Sequence, residues 1–335
     1  MSPPRQRKCV IGLGMACLDQ LLLWADTSAP VQGNRLIACQ WQGGGPAGTA
    51  MVTVARLGGR AEIWAAVGDD WIGDLILRGL AQERVDTSQV VRVRGRRGTH
   101  MIACIDQPTG ERHFYRGTEY VHSGRPVGDL KRLRGAGCLL VDGTRPASEL
   151  RAAREGRRLG VPVVADVGWW TRERPAVLTH VDYAILSEHS ARSLAPRGAA
   201  GKTARRARER ASAEPLDLRM ICRAVRGMGP PRVVITLGAR GLVYLDGDRF
   251  GRMKAFRVKV VDTTGAGDVF HGAFCWGLVA GLALEKNLEF ASAAAALKCG
   301  HIGGRAGIPT RRQVVRFLRE HRGQRSAWVQ STHPT

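Results

Sequence analysis

The chain has 335 residues and a mass of 36.4 kDa, room for one large α/β domain or two small ones. Hydrophobic residues at 44% and charged residues at 24% exclude a disordered or fibrous chain, and 42 glycines without a Gly-X-Y period exclude collagen. Lys and Arg number 51 against 29 Asp and Glu, a formal charge of +22 that suits an anionic partner without naming one.

In chain order, the apolar run Cys9–Leu13 reads as a buried strand. Leu21–Trp24 and Leu36–Trp41 read as further strands before Gly43-Gly44-Gly45-Pro46 breaks the chain. Pro46 is placed to open a helix running to about Leu57. Ala61–Val67 is the next strand, followed by Gly68-Asp69-Asp70 and a helix from Trp71 to about Glu83. Val90–Val93, Met101–Asp106 and His113–Tyr115, with turn signals such as Pro108-Thr109-Gly110 between them, read as a meander of short strands. From there strands alternate with helices: Cys138–Asp142, a helix over Ala147–Leu159, Val161–Asp166, Tyr183–Leu186 with a helix behind it, Val233–Thr236 and Val258–Val261. Ala266–Ala280, Leu284–Gly300 and Arg311–Glu320 read as the closing helices. Repeated βα units predict a parallel sheet with helices on both faces. The strands that break this rhythm predict a small separate sheet, over about 20–42 and 90–117, within a single domain spanning residues 1–335.

The basic residues fall in clusters, at Arg92–Arg97, Lys202–Arg210 and from Arg305 onward. Aromatics are only 6% of the chain and none lies in the Arg-rich run 198–210, whereas nucleic-acid binding wants cations gathered on one face with rings between them. A solvated surface is the favoured reading over a nucleic-acid partner. The eight cysteines show no CxxC spacing, so reduced thiols in a cytoplasmic protein are expected rather than disulfides or zinc. Basic residues precede the apolar stretch Cys9–Ala25, but Asp19 interrupts it, and Gly12 and Gly14 suit a strand end better than a signal peptide. No segment approaches bilayer-spanning length, and no membrane partner is expected.

The strongest chemical signal is Asp262-Thr263-Thr264-Gly265-Ala266-Gly267-Asp268, where an apolar run turns through small residues into an apolar helix. Small residues let backbone N–H groups approach a ligand, and a helix N-terminus adds partial positive charge, which together make an anion hole. Asp268, in the first turn, could take a proton from an attacking hydroxyl. A plain glycine-rich turn with Asp268 stabilising the helix start explains the same spacing equally well.

Read with the rest of the chain, the run resembles the C-terminal signature of the ribokinase-like, or PfkB, carbohydrate kinases at every position. Gly43–Ala50 resembles that family's diglycine signature, Gly68–Gly73 its GDDxxG turn, Thr236–Gly241 its nucleotide-binding TLGxxG turn, and Gly304–Pro309 its C-terminal stretch. These motifs stand in the family's order and span roughly residues 8–322. The Gly-Gly-Gly-Pro-Ala run, Asp268–Ala273, Ala295-Ala296-Leu297-Lys298-Cys299 and Gly303–Pro309 resemble the sulfofructose kinase subgroup.

The resemblance implies a ribokinase-like three-layer α/β/α domain with a small β-sheet lid, using ATP and Mg²⁺. Asp268 would be the general base and Gly265, Ala266 and Gly267 the anion hole. Thr236, Gly238 and Gly241, with Gly267, would shape the nucleotide site, with Ser292 near the adenine. Asp19 would bond sugar hydroxyls, and Gly43 and Gly44 would let the lid hinge over the substrate. Asp262 and Thr264 correspond to a loop for a monovalent cation such as K⁺, and a homodimer through the lid is compatible with the family. Taken singly, Asp19 could be an ordinary turn aspartate, Thr236–Gly241 a plain hairpin, His271 a packed side chain, and Asp69 with Asp70 a structural turn.

Two departures stand out. Gly48 occupies the position of an asparagine that touches the sugar. Ser187-Glu188-His189-Ser190 replaces the N-x-x-E motif that organises magnesium and phosphate, leaving Ser187 by the nucleotide and Glu188 acting through water, or a lower metal affinity. Arg116 and Arg145 are candidates for the acidic end of an anionic sugar, and Asn34 is a neutral one on the lid. The expected activity is ATP-dependent phosphorylation of a sugar primary hydroxyl, with 6-deoxy-6-sulfofructose at its 1-hydroxyl as the leading substrate. Another hexose, a pentose or a nucleoside is the alternative, and so is a non-catalytic nucleotide- and sugar-binding module.

Overall fold

The computed structural model describes residues 8–26, 34–106, 112–168, 170, 173–194 and 216–321. Its strands are β1 (Cys9–Leu13), β2 (Cys17–Trp24), β3 (Leu36–Gly44), β4 (Arg60–Trp64), β5 (Ala66–Gly68), β6 (Val85–Asp86), β7 (Val91–Val93), β8 (His100–Asp106), β9 (Arg112–Arg116), β10 (Ala136–Val141), β11 (Val163–Val167), β12 (Tyr183–Ser187), β13 (Arg232–Thr236), β14 (Leu242–Asp246) and β15 (Arg249–Met253). Its helices are α1 (Pro46–Arg56), α2 (Trp71–Gln82), α3 (Pro146–Arg158), α4 (Arg174–Leu178), α5 (Glu188–Arg192), α6 (Leu218–Arg226), α7 (Ala266–Val279), α8 (Leu284–Lys298) and α9 (Arg311–Glu320).

The large sheet has nine strands in the order β15-β14-β13-β12-β11-β10-β1-β4-β6. From β13 to β6 every neighbour is parallel, and β14 and β15 close one edge as an antiparallel hairpin. Parallel strands are covered on both faces, which is why Val-Val-Ala-Asp-Val in β11 is apolar almost throughout. Alternate residues feed two cores. Val10, Leu140 and Val164 pack with α1, α2, α7, α8 and α9, while Ile11, Leu139 and Val163 pack with α3 to α6. This is the expected three-layer arrangement.

A separate four-stranded sheet in the order β3-β2-β8-β9 stands where the lid was expected. Its own core is small: Leu21, Ala103 and Ile105, with Leu23 and Ile302 against them. Where α1 ends, Arg56 donates to the carbonyls of Arg305 at 2.8 Å and Ile308 at 3.2 Å and pairs with Glu83 at 2.5 Å, tying the C-terminal glycine-rich segment to the first helix.

Several elements differ from expectation. Val258–Val261 forms no strand; the amides of Val261 and Asp262 instead donate to the Cys299 carbonyl, with Val260 and Val261 exposed. The predicted strand Ala61–Val67 is two strands in different sheets, and Val91–Val93 pairs with β5 rather than joining the lid. The hairpin of β14 and β15 was not anticipated, although Asp246-Gly247 between two apolar runs is its turn signal. The Arg-rich stretch 198–210 lies outside the described residues.

Candidate active site

Gly265 caps α7 at φ 72, in the left-handed region that favours glycine, and a Cβ there would lie 2.9 Å from the Gly304 Cα. Its carbonyl accepts the first helical bond, from Val269 at 2.9 Å. The Ala266 amide turns back to the Thr263 carbonyl at 3.1 Å, so it is not free to serve the expected three-donor hole. Nothing lies within 4 Å of where a Gly267 Cβ would stand, which leaves room for a ligand to approach the backbone.

Asp268 follows on this first turn. Burial pushes its carboxyl up to about 7, nearby Asp166 pushes the same way, and His271 opposes them. Asp166, at the end of β11, is likewise raised to about 7 by burial and then by Asp142. Ligand atoms of Asp166, Asp268 and His271 lie within 4.8 Å of one another, with His271 Nδ1 3.5 Å from Asp166 Oδ2. Asp142, beyond β10, accepts from the amides of Met15 at 2.7 Å, Ala47 at 3.2 Å and Thr144 at 3.0 Å, and so ties β1, α1 and β10 together. Burial and then Asp142 lift Glu149 to about 8, with Arg174 in opposition. The motif-based reading passed over Asp142 and Asp166. Their signal was available: acids at the carboxyl ends of parallel strands, where α/β sheets bind ligands.

Beside this cluster lies a cleft of about 700 Å³, a size that holds a nucleotide. Thr236, Gly238, Gly241, Gly267 and Ser292 all line it, so five residues expected at the nucleotide converge although they come from three parts of the chain. Gly241 takes φ 90 in the turn between β13 and β14, where a Cβ would collide with the Met253 carbonyl. Ser187 does not line the cleft; its hydroxyl caps α5 through the Ser190 amide at 3.2 Å. Glu188 is held by two arginines, Arg192 at 2.7 Å and Arg240 at 2.5 Å, one on each carboxylate oxygen. That arrangement does not fit a magnesium ligand.

On the lid side, Gln42, Asp19, Met101 and Arg116 form one rung across β3, β2, β8 and β9 and therefore share a sheet face. Burial raises the Asp19 carboxyl, against a Cys17 thiol donating at 3.1 Å and the Arg305 charge. Gly44, two residues on from Gln42, must be glycine because a Cβ there would collide with the Asp19 carboxylate. Asn34 has a buried, unpartnered Oδ1. Arg116 is half exposed, 3.5 Å from Glu119 and 5.2 Å from the Tyr120 ring centre. Arg145 is spent on structure: it donates to the carbonyls of Gly14 and Ala66 at 3.3 Å each and Val121 at 2.9 Å. Asp69 and Asp70 form a structural turn, Asp70 accepting from the amides of Gly73 and Gly98.

At the expected cation loop, Asp262 accepts from the amides of Thr264 at 2.8 Å and Gly303 at 2.6 Å. Burial alone would raise its carboxyl, but these amides and the Lys298 charge hold it below the usual range. The ammonium of the fully buried Lys298 donates to the Asp262 carbonyl at 2.8 Å. A positive charge built into the chain thus already serves the loop, which does not fit a need for a separate K⁺.

The family model for the pfkB family carbohydrate kinases matches residues 14–311. The chain belongs to that family. It is a carbohydrate kinase, a phosphotransferase with an alcohol acceptor. The kinase is 26% identical over 314 residues to a ribokinase of Bacillus subtilis (strain 168), covering 92% of this chain and 98% of that protein. It also superposes on Arabidopsis thaliana ribokinase complexed with ribose and ATP, with a TM-score of 0.77 and 25% identity over 93% of this chain and 99% of the other. Thermotoga maritima ribokinase, at 23% identity and a TM-score of 0.76, covers 93% of this chain and 99% of its own and shares the fold.

Proposed function

We propose that the kinase transfers the γ-phosphoryl group of MgATP to a primary hydroxyl of a ketose, with 6-deoxy-6-sulfofructose at its 1-hydroxyl as the leading substrate. The observation that carries the transfer chemistry is the place of Asp268: on the first turn of α7, one residue after Gly267, which lines a nucleotide-sized cleft, and with its carboxyl pushed up to about 7 by burial. A carboxylate tuned to the working pH removes the hydroxyl proton while the amides of Gly265 and Gly267 hold the phosphoryl oxygens. Magnesium brought with the nucleotide would neutralise phosphate charge near Asp166, the acid nearest the base. Lys298 supports a reaction without monovalent cation.

An anionic sugar is supported by Arg116, on the same rung and face as Asp19. A homodimer through the lid is supported by the exposed apolar side chains Leu36, Ile37, Trp41, Phe114 and Tyr115, and sedimentation would reveal a monomer if it is wrong. The cytoplasm remains the expected compartment, given eight free thiols.

The test is ADP release across sulfosugars, hexoses, pentoses and nucleosides, with Asp268→Asn as control. The variant is expected to lose about 10²–10⁴-fold in kcat with nucleotide affinity intact. Near-normal turnover would remove Asp268 from its role. Release with none of the acceptors, with ligands still raising the melting temperature, would favour a binding module.

A further inference from the structure

Arg305 was counted with the basic residues of the surface, yet it is only 6% exposed. Its Nη2 donates to the Gly44 carbonyl at 2.8 Å, and its Nε is buried without a partner. The carboxylates around it, Asp19, Glu83 and Asp268, act on it only through space. A buried guanidinium with an unused donor is costly unless a ligand completes it.

Two glycines make room for this side chain. A Cβ at Gly43 would collide with Nη1, and one at Gly48 would lie 2.5 Å from Nη2. The volume that an asparagine side chain at 48 would need is therefore occupied by a guanidinium from the far end of the chain. Asp19, whose carboxylate lies against Gly44, only accepts hydrogen bonds when ionised, and Arg305 only donates. A hydroxyl both donates and accepts, so one hydroxyl can satisfy both.

We propose that Arg305 is a specificity-determining sugar contact, paired with Asp19 to read one secondary hydroxyl of the acceptor. This rests on the sugar-kinase reading above. Removing that hydroxyl from the sugar would take away an acceptor from the buried Arg305 Nε and a donor from Asp19, a loss that sites built around a hydroxyl reject strongly.

The experiment is a calorimetric titration of the full chain, with a non-hydrolysable ATP analogue present. The probes are 6-deoxy-6-sulfofructose, fructose and ribose, each alongside analogues lacking one secondary hydroxyl. Arg305→Lys and Arg305→Gln are expected to weaken binding of the parent sugar by about 10–100-fold. They should leave unchanged the affinity for one particular deoxy analogue, and that for the nucleotide. Gly48→Asn in the Arg305→Gln background fills the vacated space and is expected to recover part of the parent affinity; it also serves if the single variants fold poorly. Equal losses across parent and every analogue would mean that Arg305 only fastens the Gly44 carbonyl, and would overturn the proposal. So would unchanged affinity in the variants, or a wild-type chain that binds none of the three sugars. Selective binding without ADP release would instead sink the catalytic reading while upholding Arg305.

Discussion

At the scale of single residues, the site is governed by groups whose charge is held away from its ordinary state. As the proposed base, Asp268 must be ionised to act, and its carboxyl is raised to about 7, first by burial and then by Asp166. Activity is therefore expected to fall as pH drops through 7, by about tenfold per unit below 6, in a kcat/KM profile. A rate flat down to pH 5 would contradict this. Stability runs the other way. Asp166, Asp268 and Glu149 keep their protons in the folded chain at pH values where the unfolded chain has released them, so their contribution declines as pH rises from about 4 to about 8. The melting temperature should thus be higher at pH 6 than at pH 8. Lys298 gives a second residue-scale expectation. Turnover in K⁺, Na⁺ or Tris buffers of equal ionic strength should agree within about twofold, whereas Lys298→Ala should slow turnover and be partly rescued by NH₄⁺ or K⁺. Rescue by no cation, with the fold intact, would deny the ammonium its role.

At the scale of elements, the turns were the most legible part of the sequence. Gly265, Gly241 and the Gly43-Gly44 pair could be read because their backbone approaches something that a Cβ would strike, and that constraint leaves its mark in the residue itself. Asp142, Asp166 and Arg305 could not be read this way. Their importance comes from strand register and from segments more than a hundred residues apart meeting in space, which local pattern does not record. The run Val258–Val261 misled for a related reason: β-branched residues favour extended backbone, but the sheet edge was already taken by β15. Asp70 joins two elements, capping α2 at Gly73 and holding Gly98 at 3.0 Å each. Asp70→Ala should cost about 1–2 kcal/mol in denaturant unfolding, the usual value of a lost cap. A loss below about 0.3 kcal/mol would mean that water replaces both bonds.

At the scale of the whole molecule, repeated strand–helix alternation made the large sheet foreseeable, and the residues that broke the rhythm made the small separate sheet foreseeable. The division of labour between the two cores was not, because it depends on which of two adjacent buried residues faces which layer. Asp268 and the nucleotide-sized cleft sit on the layer of α7 and α8, and Asp142 and Asp166, two residues on from Leu140 and Val164, face that same layer from the ends of β10 and β11. The clasp between Arg56 and the carbonyls of Arg305 and Ile308 sets an order on biogenesis. A nascent chain still attached to the ribosome can complete most of its large sheet, but it cannot fasten the end of α1 until residues 305–308 have been translated. Chains cut short before residue 305 should therefore lack this fastening and be digested by protease while the full chain resists.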